Sequence, residues 1–271
     1  MTVVEDVVLQ KDAVFIADSH FKRGDTALLE SFSRLPSGVQ VFLMGDVFHL
    51  LVGCLKSSRD ENEELISDLA TLSLTNQIIL LEGNHDFGLK GNCENVGCKA
   101  NLRIYPHKSQ PIVLRNWRDE VCILAHGDLW ISPFYGIYRW ILDSKPLMFF
   151  FRLLDSLSRG RVYALVSRRV SRRLIASFAF YRSDSVDFMG ARLGKYKRRV
   201  IGALIQNNHA RDRDSFCIIE GHFHLGASLQ RDNICYIALP SSYFTKGHCV
   251  LQVGGQPWRE NPAQQRFHQT I

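Results

Sequence analysis

The chain has 271 residues, 46% hydrophobic and 22% charged, enough apolar material for one large domain or two small ones. That composition excludes a collagen, a disulfide-stapled miniprotein and a wholly disordered chain. The formal net charge of +6 favours anionic partners, among which nucleic acid, phosphate compounds and membrane surfaces all qualify.

The N-terminus (MTVVEDVVLQ) has neither the positive start nor the apolar stretch of a signal peptide. No apolar run reaches the roughly 18 residues of a membrane span, so the expected location is the cytosol. Short apolar runs follow at 13–17, 39–44, 77–81, 121–125 and 216–219, each with the length and composition of a buried strand. Residues 26–35 and 57–74 read as helices between them, the second with an acidic opening turn that suits a helix N-terminus. Strands alternating with helices predict an α/β fold in which helices cover a sheet.

Residues 130–213 interrupt this pattern. Val162, Val166, Val170, Leu174 and Phe178 recur at helical spacing, with Arg161, Arg168 and Arg172 mostly on the opposite side. Between 139 and 182, ten basic residues face only Asp143 and Asp155, so this stretch carries +8 and the rest of the chain about −2. The basic character therefore belongs to the insertion. The seven cysteines (Cys54, Cys93, Cys98, Cys122, Cys217, Cys235 and Cys249) form no CxxC pair and read as free thiols; a zinc knuckle at Cys93 and Cys98 lacks a second pair.

The residues after the five strands carry the chemistry. They are Asp18-Ser19-His20, Gly45-Asp46-Val47-Phe48, Gly83-Asn84-His85-Asp86, His126-Gly127-Asp128 and Gly221-His222-Phe223-His224. Ligands of open α/β sheets collect at the carboxyl ends of strands. Imidazole with carboxylate suits Mn²⁺, Zn²⁺ or Fe. Seven such groups are too many for one ion, and two ions sharing a carboxylate would use them all, an arrangement suited to in-line attack on phosphorus.

In their order, DxH, GDxF, GNHD, HGD and GHFH resemble the calcineurin-like metallophosphoesterase superfamily, over residues 14–126 and 216–250. The resemblance implies a four-layered α/β/β/α sandwich formed by 1–129 and 214–254, with 130–213 as a helical lid and 255–271 as a tail. It implies that Asp18, His20 and His224 hold one metal, that Asn84, His126 and His222 hold the other, and that Asp46 bridges them. His85 would face the phosphate as proton donor or charge stabiliser, with Asp86 orienting it.

A helical, aromatic, Arg-rich lid between HGD and GHxH is similar to that of the UDP-2,3-diacylglucosamine diphosphatases of lipid A synthesis. That likeness implies two Mn²⁺ ions, a lipid-nucleotide substrate cleaved to UMP and a diacylated sugar 1-phosphate, and a place on the cytoplasmic face of the inner membrane. The stretch 239–250 looks like the closing strands of those enzymes. That branch usually has Arg where His85 stands, and Thr-His-Arg-Pro where this chain has Phe223-His224-Leu225-Gly226.

The composition of the insertion points the same way. Its apolar faces exceed what a thin cap can bury, so runs 147–151 and 178–181 are expected to line an acyl groove, with arginines turned outward to anionic headgroups. Arg182 and Ser183, at the end of the amphipathic helix, are candidate substrate contacts beside Asn84 and His222. His107 and His209 read as surface residues, His49 as packing near the site, and Asp128 as a turn residue or a support behind the ligands rather than a ligand. No stacking platform for nucleic acid is visible, and none is expected as a partner. The competing readings are another phosphodiesterase, nuclease or phosphatase on the same site, and a non-catalytic scaffold.

Overall fold

Each of the five apolar runs forms a strand, and those at 77–81 and 121–125 keep the predicted limits to the residue. The structure, a computed structural model, describes residues 3–89, 101–172, 185–245, 249–250 and 259–260. The first half contains β1 (Val3–Leu9), β2 (Val14–Ile16), α1 (Thr26–Ser33), β3 (Gln40–Leu43), β4 (Leu51–Val52), α2 (Lys56–Glu61), α3 (Glu63–Leu72), β5 (Gln77–Leu81), β6 (Asp86–Phe87), β7 (Leu102–Tyr105), β8 (Ile112–Asn116) and β9 (Val121–Ala125). The middle of the chain contributes α4 (Pro133–Leu142), α5 (Lys145–Ser158), α6 (Arg161–Ser171), α7 (Ser185–Tyr196) and α8 (Gly202–Gln206). Then come β10 (Phe216–Glu220), β11 (Ala227–Arg231), β12 (Ile234–Ala238), α9 (Ser242–Thr245), β13 (Cys249–Val250) and β14 (Arg259–Glu260).

Among the described residues the strands form two six-stranded sheets, in the orders β1-β8-β9-β10-β12-β11 and β14-β13-β2-β3-β5-β7, and a short β4-β6 pair. Successive strand residues point to opposite faces, and here both faces are buried. In β2 and β3 and the residue after each, Phe15, Ala17, Phe42 and Met44 pack into one cluster with Cys122 and Leu124 of β9 and Ile219. Their neighbours Val14, Ile16, Val41 and Leu43 pack on the other side with Leu28 and Phe32 of α1 and with Leu65, Ile66 and Leu69 of α3. Val121, Ile123 and Ala125 of β9 likewise meet Met189, Leu193 and Tyr196 of α7 and Leu204 of α8. Burial on both faces explains why the strands read as unbroken apolar runs rather than alternating ones.

Parallel register then aligns the strand ends. Ile16 lies beside Leu43, Leu43 beside Leu80, and Ala125 beside Glu220. The turns that follow β2, β3 and β5 in one sheet, and β9 and β10 in the other, are thereby brought to one rim.

Three expectations change. The single helix at 57–74 is two helices, because the Asn62 side-chain amide donates to the carbonyls of Leu50 and Ser58 and breaks the helical run there. The stretch 239–250 is not strand throughout: it contains the one-turn helix α9. In α6 the residues buried against the protein are Tyr163 and Ser167, whereas Val162 and Val166 stay substantially exposed. Among the described residues no helix is long and apolar enough to cross a membrane. Leu174, the run 178–181, Arg182, Ser183, Cys93, Cys98, His248 and most of the tail lie outside the described residues.

Candidate metal centre and its cavity

Five of the candidate ligands sit in left-handed backbone: Asp18 (φ 51°), His20 (45°), Asp46 (49°), His222 (62°) and His224 (54°). Non-glycine residues avoid this region, and where it recurs it clusters at functional sites. The conformations are held by hydrogen bonds between the turns. Asp18 N–H donates to Gly45 O (3.1 Å), His20 N–H to Asp46 O (2.9 Å), and the Ser19 hydroxyl to Val47 O (2.8 Å). His222 N–H donates to Asp18 Oδ2 (2.7 Å), and the Ser241 hydroxyl at the start of α9 donates to Asp18 O (2.7 Å). Glycine is required where the turns touch: a Cβ on Gly45 would meet the His126 ring, and one on Gly83 the Asp46 carboxylate.

These turns bring all seven predicted ligands together. One ligand atom from each of Asp18, His20 and His224 lies within 4.8 Å of the others, and the same holds for Asp18, Asp46, His126 and His222. His20, Asp46 and His85 form a third such group. Asn84 joins through Oδ1, 3.3 Å from His126 Nε2. His126 Nδ1 donates to Met44 O (2.9 Å), which leaves Nε2 turned inward, 3.2 Å from His222 Nδ1.

The electrostatics are those of a site built for a cation. Burial raises the Asp46 carboxyl, yet the rings of His126, His85, His20 and His222 hold it down at about 2. Burial favours the neutral form of His126, but the carboxylates of Asp46, Asp128 and Asp18 outweigh it and lift the ring to about 9. Burial pushes His20 and His49 down to about 4. Asp18 Oδ1 is buried with His224 Nε2 3.3 Å away, outside good hydrogen-bond geometry, and His20 Nδ1 is buried without a hydrogen-bond partner. Buried polar atoms left this way are costly unless a ligand satisfies them. The His/Asp cluster therefore fits a divalent metal site.

His85 is oriented differently from the sequence expectation. Its Nδ1 donates to the His49 carbonyl (2.7 Å), leaving Nε2 for the site. Asp86 does not hold the ring. Its carboxylate accepts from the backbone N–H groups of Gly83 (2.6 Å), Asp46 (3.1 Å) and Val47 (2.7 Å), locking the GNHD turn onto the Asp46 turn.

A cavity of about 710 Å³ opens from this cluster. One end is lined by His20, Asp46, Asn84, His85, His222 and His224, with His49 beside them. The other end is apolar, walled by Leu50, Val52 and Phe87 and by side chains of α4, α5 and α6, among them Phe151, Val162, Val166 and Val170. The apolar stripe of α6 has the predicted spacing but faces this cavity instead of the core. Tyr163 and Ser167 fix the helix that way, donating to Leu50 O (3.1 Å) and to Glu61 Oε1 (3.0 Å).

Several supporting residues escape a reading of motifs. Gln110 links two ligand turns, accepting from His126 N–H (2.8 Å) and donating to Glu82 O (2.7 Å). Asp128, expected as a turn or supporting residue, is buried, accepts the Tyr135 hydroxyl of α4 (2.6 Å) and lies 3.4 Å from a half-buried His107, which is thus not a surface residue; His209 is exposed. Arg139, one of the ten basic residues counted between 139 and 182, is only 1% exposed and stacks on Phe87 at 5.7 Å. Arg192 of α7 pairs with buried Glu220 and donates to Leu129 O (2.7 Å) and Gly127 O (3.1 Å), bracing both histidine turns from below. Cys54, Cys122, Cys217 and Cys235 are free thiols, as expected.

No family model and no curated protein match the chain. Among solved structures, it is similar to a conserved uncharacterized protein from Streptococcus pneumoniae TIGR4, described as a predicted phosphoesterase, at 12% identity and a TM-score of 0.30, over 91% of this chain and 78% of that one. It is also similar to the phosphopantetheinyl hydrolase of Mycobacterium tuberculosis, at 12% identity and a TM-score of 0.36, over 86% of this chain and 90% of that one. At this level of similarity neither constrains the chemistry, which rests on the geometry of the site.

Proposed function

We propose that the chain is a dimetal phosphoesterase of the four-layered α/β/β/α type, with residues 130–213 forming a lid over its cavity. In this reading Asp18, His20 and His224 hold one divalent ion, Asn84, His126 and His222 hold a second, and Asp46 serves both; Mn²⁺ suits the donor set. When bound, the ions supply Lewis acidity toward phosphate oxygens and toward an attacking water. The backbone-locked turns fix the ligands in place. His85, held through Nδ1, presents Nε2 to the phosphate, to donate a proton to the departing oxygen or to offset its charge.

The substrate proposed is UDP-2,3-diacylglucosamine. Water adds to the uridine-side phosphorus, the bond to the bridging oxygen breaks, and that oxygen leaves on 2,3-diacylglucosamine 1-phosphate while UMP forms. The observation that carries this reading is the single cavity that joins the ligand cluster to an apolar wall, as an acylated phosphate compound requires. Exposed apolar side chains on the same helices support docking on the anionic cytoplasmic face of the inner membrane: Phe134 is 82% exposed, Trp140 76% and Leu157 75%.

The test is release of UMP from UDP-diacylglucosamine by protein loaded with Mn²⁺. Asp46→Asn should lose both metal and turnover, and His85→Gln should keep metal while losing turnover. Hydrolysis of an aryl phosphodiester without UMP release would reject the substrate alone. Folded, metal-loaded protein inert toward both would reject the enzyme.

A further inference from the structure

We infer that Asp155 is a recognition point, within the apolar end of the cavity, for a hydrogen-bond donor carried on the apolar limb of the ligand: a hydroxyl or an ammonium. The inference rests on the proposed amphiphilic ligand and adds to it a specific polar contact. Asp155 is one of only two acidic residues in the strongly basic stretch 139–182. It lies on α5, lines the cavity among Leu154, Phe151, Val162 and Tyr163, and is 6% exposed.

Its two oxygens have different fates. Oδ2 accepts the Ser57 backbone N–H (3.2 Å), one of the donors left free at the start of α2, whose preceding residue, Leu55, has no side chain able to cap it. That accounts for a carboxylate at this place but for only one of its oxygens. Oδ1 is buried and accepts no hydrogen bond. Most buried side-chain acceptors in folded proteins are satisfied, and an orphan oxygen on a residue that lines a binding cavity calls for a partner that a ligand can supply. A carboxylate can only accept, so the complementary group must donate. A purely hydrocarbon limb would leave Oδ1 bare and be disfavoured.

The experiment measures displacement of an environment-sensitive naphthalene dye from the full-length protein by single-chain alkyl phosphates. The series comprises dodecyl phosphate, its analogues with one hydroxyl at successive carbons, and the corresponding amines. At least one hydroxylated or amino chain should bind about tenfold or more tightly than plain dodecyl phosphate, the effect of one hydrogen bond to a charged group. The hydroxyl and amine arms tell a neutral donor from a cation. In Asp155→Asn the amide oxygen must still face Ser57 N–H, so an NH₂ replaces the orphan oxygen and the preference for donors should vanish or reverse. Equal binding of plain and substituted chains to the wild type, no displacement by any chain, or a preference that survives Asp155→Asn would each overturn the inference. Turnover of an aryl phosphodiester by the Mn²⁺-loaded wild type is scored separately. Donor preference without turnover of that diester or of UDP-diacylglucosamine leaves Asp155 standing and removes the enzyme reading, and turnover without donor preference does the reverse.

Discussion

Arg192 offers the sharpest test of how the site is supported. Its guanidinium and the Glu220 carboxylate are both buried, and the pair is satisfied on every side. Arg192 donates to Glu220 and to the Gly127 and Leu129 carbonyls, while Glu220 also accepts from the hydroxyls of Tyr196 (2.5 Å) and Tyr236 (2.6 Å). Replacing Arg192 by Met keeps much of the volume and leaves a buried carboxylate without its cation. Removing one partner of a buried pair costs about 3–5 kcal/mol. The two tyrosine donors still solvate Glu220, which places the expected loss in the lower half of that range, about 3–4 kcal/mol. For a chain of this size that is a fall of roughly 5–7 °C in Tm. Urea denaturation followed by circular dichroism should show a lower midpoint at an unchanged slope. Adding Glu220→Gln should recover at least half of the loss, because the stranded charge is gone. Gly127 adjoins His126 and Glu220 precedes the His222 turn, so the single variant should also bind Mn²⁺ more weakly. A loss of about 1 kcal/mol or less, or a double variant as unstable as the sum of the singles, would refute the picture of a closed, water-free pair.

Three further outcomes follow from the same geometry. Gly83→Ala should displace the Asp46 carboxylate and reduce turnover of an aryl phosphodiester about 100-fold, with metal content falling in parallel, since a displacement of about 1 Å at reacting groups has that effect; retention of both would show that the turn yields freely. Chelator-treated protein keeps His126 charged up to about 9, above the ordinary value of 6.5, so this group's contribution to stability is complete below about 6.5 and disappears as pH rises through 9. Metal must displace that proton, so calorimetry at pH 7 to 9 should find proton release and an Mn²⁺ affinity that rises with pH, and a flat profile would contradict it. Phe134→Asp with Trp140→Asp, both at strongly exposed positions, should change stability by no more than about 0.5 kcal/mol while weakening co-sedimentation with anionic vesicles at least tenfold; unchanged sedimentation would remove the membrane contact.

What could be read in the chain, and what could not, divides along a physical line. β2, β3, β5, β9 and β10 are legible because burial on both faces leaves nothing but apolar residues between their polar ends. The candidate ligands are legible because each comes shortly after its strand, so parallel register within each sheet and the packing of the two sheets deliver them to one rim. The edge strands β1 and β11 are not, since half-exposed sequences such as VVEDVVL and ASLQR carry no unbroken apolar run. Nor does spacing announce the left-handed backbone of Asp18 or His222, which arises only when turns distant in sequence bond to one another. Glu220 did carry a signal: it is a lone charge closing an apolar run, directly before the Gly221-His222 turn. Its partner lies 28 residues upstream, inside a helix full of other plausible positions.

The α6 helix shows where pattern reading fails in principle. A stripe of Val162, Val166 and Val170 is equally content against a core or a greasy ligand, because the hydrophobic effect has no direction. The side that packs is decided by the two residues with polar tips, Tyr163 and Ser167, each needing a fixed acceptor on the body of the protein. Those acceptors, Leu50 O and Glu61, are more than 100 residues away in the chain. An apolar stripe beside a polar-tipped stripe on one helix is therefore the pattern expected of a cavity wall, and it is the polar stripe that reveals which way the wall faces.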